Sequence, residues 1–144
     1  MNNTPIPFNE FFDFKLYITP ELLKLPNGEY SLIIALDQNA KGAIEMDTLQ
    51  KIISAIGYDL DRDVILLENQ LVSSIKLHQQ YQVKAVISFG VPLFNLGINI
   101  ESKLYEPLEI RGIGVLKVED LSLIAKDKSK KLLLWNGLKL MFGL

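Results

Sequence analysis

His78 is the only histidine in this 144-residue chain, and there is no cysteine. Hydrolytic chemistry of the Ser-His-Asp kind would have to be built around His78, because a hydroxyl becomes a nucleophile only beside a base. His78 instead shares a helical face with Leu71 and Ile75, the spacing of a packed or half-exposed structural residue. Nothing near it resembles a nucleophile elbow. The missing cysteines remove disulfides, thiolate nucleophiles and zinc–sulfur sites together.

Asp59, Asp61 and Asp63 alternate as the first three ligands of a calcium loop do. The sixth position of such a loop needs Gly and the twelfth a bidentate Glu. Here they are Val64 and Gln70, so the segment reads as a solvated helix-to-strand connection and no metal site is expected. Gly112-x-Gly114 precedes a strand, whereas a phosphate-cradling loop follows one and opens a helix. These glycines read as a tight turn, and no cofactor is expected. Asp37, with Gln38 and Asn39, leaves the first strand at the end where open parallel sheets take ligands. Asp37 could activate water there, although acidic and amide residues are also ordinary turn formers.

Two clusters point away from catalysis. Lys126, Lys128, Lys130 and Lys131 make the densest charge group. They read either as a phosphate- or partner-contacting patch or as solvated residues at a helix start. Cations at a helix N-terminus oppose the macrodipole, so helix stability does not explain them. Phe8, Phe11, Phe12 and Phe14, followed by Tyr17, crowd the N-terminal region. Such aromatic density is costly to leave in water: either the arm folds back on the domain or it docks into a partner's groove.

The elements that position these residues are legible as alternating strands and helices. Residues 1–28, punctuated by Pro5, Pro7, Pro20 and Pro26, form an N-terminal arm, and 29–144 a single domain. Tyr30–Leu36, Val64–Leu67, Lys84–Phe89 and Ile113–Val118 read as strands. Leu49, Ile52, Ile53 and Ile56 share one face of a helix that Gly57 ends, and a second helix stops near Tyr81. The stretch from Phe94 to Arg111 reads as loop, with some extended structure around Tyr105–Ile110. Leu121–Ala125 is a short helix. Ser129 is placed to cap a last one, reaching about Phe142 and striped by Leu134, Trp135, Leu138, Met141 and Phe142. The expected fold is α/β, a three-layer α/β/α with a mostly parallel, about four-stranded central sheet.

Composition bounds the rest. With 49% apolar and 22% charged residues, one packed core is affordable and two are not. Apolar runs such as Ser31–Leu36 are far too short to span a bilayer. Met1-Asn-Asn-Thr-Pro5 has neither the basic start nor the apolar stretch of a secretory signal, so the expected address is cytoplasmic. Residues 1–110 carry 8 Lys/Arg against 14 Asp/Glu, and residues 111–144 carry 7 against 3, hence about −6 and +4 within a net −2. A whole domain so balanced makes a poor general nucleic-acid binder, which leaves only a local basic patch open.

The C-terminal run Val118-Glu-Asp-Leu-Ser-Leu-Ile-Ala-Lys-Asp-Lys-Ser-Lys-Lys-Leu-Leu-Leu-Trp135 resembles the psi subunit of the bacterial DNA polymerase III holoenzyme. That family has a strand, a short leucine-containing helix, a charged connection and a helix bearing a Leu-Trp pair, here Leu134-Trp135. Tyr30–Leu36, the helix ending at Ile56-Gly57 and Asp63–Leu67 follow in the expected order. Leu16-Tyr-Ile-Thr-Pro20 with Leu25-Pro26 is similar to the region joining the psi N-terminal peptide to its domain. The resemblance implies an α/β/α domain shaped like uracil-DNA glycosylases without their activity. It further implies an N-terminal peptide attached to clamp-loader subunits, and a domain paired with the chi subunit, which contacts single-strand DNA-binding protein. By that resemblance Phe8, Phe11, Phe12, Phe14 and Tyr17 belong to the tether, whereas no motif marks a chi-binding surface. The alternatives are a true glycosylase relative, which would excise or bind bases, and an orphan structural domain. Common uracil enzymes carry Gly-Gln-Asp-Pro-Tyr-His after the first strand and a later His-Pro-Ser. Leu36-Asp37-Gln38-Asn39-Ala40-Lys41 lacks the Pro-Tyr pair, and His78 stands alone.

Overall fold

The computed structural model describes residues 30–37, 41–68 and 73–144. Phe8, Phe11, Phe12, Phe14 and Tyr17, the loop amides Gln38 and Asn39, and Leu71 lie outside the described residues, as does the side chain of Ile75.

Five strands build one sheet in the order β2-β1-β3-β5-β4. They are β1 (Leu32–Leu36), β2 (Val64–Glu68), β3 (Ala85–Phe89), β4 (Leu108–Ile110) and β5 (Ile113–Val118). The β1–β2, β1–β3 and β3–β5 pairs are parallel, and β4 runs antiparallel to β5. The sequence predicts about four strands. The fifth is β4, within the stretch read as partly extended. Three residues are too few for a period-two pattern to stand out, and pairing such as Leu108 with Val115 defines the strand.

Four helices complete the order: α1 (Ala43–Ala55), α2 (Ser74–Tyr81), α3 (Leu121–Ala125) and α4 (Lys128–Phe142). Every residue of β1 and β3 is buried, which is why these strands read as unbroken apolar runs. Their side chains alternate between two clusters. Leu32, Ile34, Leu36, Ile87, Phe89 and Leu116 meet Leu49 and Ile53 of α1, Leu121 and Ile124 of α3, and Leu134 and Leu138 of α4. Ile33, Ala35, Ile65, Val86 and Val115 meet Leu77 of α2 and the connection through Leu93, Leu96 and Ile98.

Local chemistry sets the boundaries. At the end of α1 the Gly57 N–H donates to Ser54 at 3.0 Å and the Tyr58 N–H to Ile53 at 3.1 Å, the bond pair of a Schellman motif. The two-residue β4–β5 loop is Arg111-Gly112, at φ of 50° and 82°. Two left-handed residues match the strand twist in a tight hairpin, and glycine enters that region without penalty. The predicted Ser129 cap is displaced. Asp127 caps α4, its Oδ1 accepting from the Ser129 and Lys130 N–H groups at 2.8 and 3.3 Å. Ser129 is already inside the helix and supplies one of the donors that needs capping.

Further along α4, Gly137 presses directly on the layer beneath. A β-carbon there would stand 2.9 Å from the Tyr105 carbonyl oxygen and 3.2 Å from Leu116 Cδ1. The helix therefore approaches the sheet more closely at this turn than any larger residue allows.

Candidate functional site

The polar residues of greatest chemical interest are engaged in holding the fold. His78 is half-buried, and its Nδ1–H donates to the Val83 carbonyl just beyond the end of α2. That bond fixes the ring beside its own helix terminus. Asp59 Oδ1 accepts from the Asp61 and Arg62 N–H groups at 2.9 and 3.0 Å, and Asp63 Oδ2 accepts from the Asp59 N–H at 2.8 Å. Backbone and Arg62 hydrogen bonds hold the Asp63 carboxyl below its ordinary range. Two of the three alternating aspartates thus close their own turn. Among the described residues no three metal-ligating side chains converge, and no helix is long and apolar enough to cross a membrane. Asp37 is half-buried at the carboxyl end of β1.

Ser88, which the sequence reading passed over, is fully buried in central strand β3. Its hydroxyl donates to the Val91 carbonyl at 2.6 Å. It fastens the turn leaving the strand.

The lysine cluster divides. Lys126, Lys128 and Lys131 are exposed, whereas Lys130 is half-buried. Its Nζ donates to both oxygens of Glu119 at 2.9 Å, and Tyr105 Oη donates to the same carboxylate at 2.8 Å. Through this contact Lys130 ties the start of α4 to the segment leaving β5. The hydrogen bond from Lys130, then that from Tyr105, holds the Glu119 carboxyl below the usual carboxylate range. Glu119 in turn raises the Lys130 ammonium. Burial first, and the bond to Glu119 second, raises the Tyr105 phenol, which stays neutral as a donor.

Several concavities indent the described surface. One of about 490 Å³ lies beside Ala85, Gly114 and Gly112, at the amino ends of β3 and β5. Open parallel sheets take ligands at the opposite end. A second, about 180 Å³, includes Ser74, Ile98 and Arg111. A third is a trough of about 240 Å³ between α1 and α4.

This trough is built with unusual regularity. Thr48, Lys51, Ile52 and Ala55 line one side, and Lys131, Leu134, Trp135 and Leu138 the other. Both sets repeat i, i+3, i+4, i+7, so each is a single helical stripe. Leu134 and Leu138 are buried and form its base. Ile52 and Trp135 are half-buried on its walls, while Ala55, Lys51 and Lys131 are exposed. The rings of Tyr58 and Phe142, 6.0 Å apart, bridge the two helices near their carboxyl ends. The apolar stripe of α4 expected from sequence is thus split between core and trough. Of the α1 face expected from sequence, Leu49, Ile53 and Ile56 enter the core and only Ile52 lines the trough; the facing stripe is the neighbouring one, and periodicity cannot say that two stripes will oppose each other.

Neither protein-family models nor the curated proteins searched yield a match to this chain.

Proposed function

We propose that this protein is a non-enzymatic, protein-binding accessory subunit of the psi kind, serving a DNA-replication clamp loader in the cytoplasm. The observation that carries the binding reading is the α1–α4 trough, an open apolar surface between two regular helices. Apolar grooves of this form suit partner segments. The polar groups that could have suggested catalysis, His78, Asp59, Asp63, Ser88 and Glu119, are bonded within the fold. The replication assignment rests on the resemblance of Val118–Trp135 and its preceding elements to the psi family. The three-layer α/β/α arrangement of that family is supported by helix side chains entering both core clusters.

In this reading the arm is the tether. Phe8, Phe11, Phe12, Phe14 and Tyr17 anchor it to clamp-loader subunits, and a chi-like subunit takes the domain. A segment that orders on binding concentrates affinity in a few large anchors. The test is affinity capture with the full chain and with a chain lacking residues 1–18. Recovery of clamp-loader ATPase subunits by the full chain alone, with equal melting of both, is the expected result. Equal capture by both would remove the tether, and no capture by either would remove the clamp-loader assignment.

A further inference from the structure

The trough carries charge of one sign. Lys51 stands on one rim and Lys131 on the other, and no carboxylate lines it. Lys128 is exposed three residues before Lys131, one turn nearer the start of α4. Lys51 has a nearby anion in Asp47 at 3.0 Å, but both side chains are largely solvated, and such pairs hold weakly. Lys128 and Lys131 sit in the opening turns of α4, where the helix macrodipole is already positive. Their position works against their own helix, which a negatively charged occupant would reverse. At about 240 Å³ the cavity falls below the roughly 300–1,000 Å³ of small-molecule pockets. It is sized for side chains presented by another backbone.

We propose that the α1–α4 trough is the docking site for an acidic amphipathic helix of a partner protein. Its apolar face would lie on Ile52, Trp135 and Leu138, and its carboxylates against Lys51, Lys128 and Lys131. This rests on the protein-binding reading and is independent of the clamp-loader assignment. The chain's own arm is a poorer match. Residues 1–28 carry Glu10, Asp13 and Glu21 against Lys15 and Lys24, so the arm is close to neutral.

Binding can be read with the full chain, because Trp135 is the only tryptophan and lines the trough. The probe is a synthetic helix with leucines at i, i+3, i+4 and i+7 and glutamates flanking them, against a control with lysines in place of the glutamates. The acidic probe should shift Trp135 emission, bind more weakly as salt rises, and exceed the basic control in affinity roughly tenfold or more. Lys131→Glu should abolish that preference. Ala55→Glu, at an exposed site, should remove binding while leaving the melting midpoint unchanged. Failure of the full chain to bind the acidic probe, or equal binding of the basic control, overturns the proposal. So does unaltered binding by Ala55→Glu. Binding that appears only after residues 1–18 are deleted would make the arm the occupant. A dimer of the full chain dispersed by Ala55→Glu would make it a second copy. Either result is also fatal. Clamp-loader capture by Ala55→Glu, expected to persist through the arm, reports separately on the tether.

Discussion

Glu119 holds Lys130 by both carboxylate oxygens, each 2.9 Å from Nζ. The pair joins the residue after β5 to the first turn of α4 across the short helix α3. A charge-assisted contact of this kind is shorter and stronger than one between neutral groups. It ties the start of α4 to the end of β5.

That pair has a pH signature. The Glu119 carboxyl titrates below its ordinary value in the folded chain, so the unfolded chain binds the proton more readily. Its contribution is present above about pH 4.3 and fades as pH falls through the depressed native value. Lys130 is shifted upward, so its share is complete below about pH 10.4 and is lost above it. Glu119→Gln should therefore lower the melting midpoint most at neutral pH, with the gap to the parent closing in acid. An equal gap at both would mean the pair does not titrate as described.

Capping separates two neighbouring residues. Asp127→Ala should cost about 0.5–2 kcal/mol, since it strips the acceptor from two helix N–H groups. Ser129→Ala should fall within about 0.5 kcal/mol of the parent. Urea denaturation of both variants makes the comparison; a larger loss at Ser129 would restore it as the cap.

On α4, Leu138 is buried and Trp135 is half-buried. Leu138→Ala should cost about 2–5 kcal/mol, and Trp135→Ala less than the roughly 3–5 kcal/mol of a fully buried aromatic. Chemical denaturation measures both. A Trp135 loss at the top of that range would place the indole in the core rather than on the wall of a trough.

The β4–β5 turn offers a gain and a loss. Gly112→Ala should destabilise by roughly 1–2 kcal/mol, because φ of 82° is unfavourable for a residue with a β-carbon. Arg111→Asn should stabilise slightly, since Asn enters the left-handed region more readily than Arg. Thermal melts of both variants test the assignment, and opposite signs would refute it.

Uracil-containing DNA should remain intact. Asp37 lies at the carboxyl end of β1 without the Pro-Tyr pair of the common uracil enzymes. His78 is bonded to Val83. Incubation of purified protein with such DNA should release no base. Robust release abolished by Asp37→Asn would return the chain to the glycosylases.

Where an element is marked by its own apolar run and flanking stops, the sequence was readable, although the cap of α4 fell on Asp127 and not on Ser129. Ile113–Val118 and Leu121–Ala125 match β5 and α3 residue for residue, one as an apolar run after a turn and the other as a short run between polar stops. Lys130 was not readable in this way, because its partner lies 11 residues away and only the fold brings them together. β4 was obscured because three residues owe their strand to β5 rather than to propensity. The trough required two stripes to face each other, a relation no single stretch of sequence contains.

Gly137 contributes no lining to that trough, yet it backs the helix that forms one of its walls. With only 2.9 Å available between a β-carbon and the Tyr105 carbonyl oxygen, even a methyl group would act as a spacer beneath α4. Either the Tyr105 backbone or α4 would have to give way, and any shift of α4 carries Trp135 and Leu138 with it. Substitution at this hidden position would alter one wall of the trough without changing any residue that lines it.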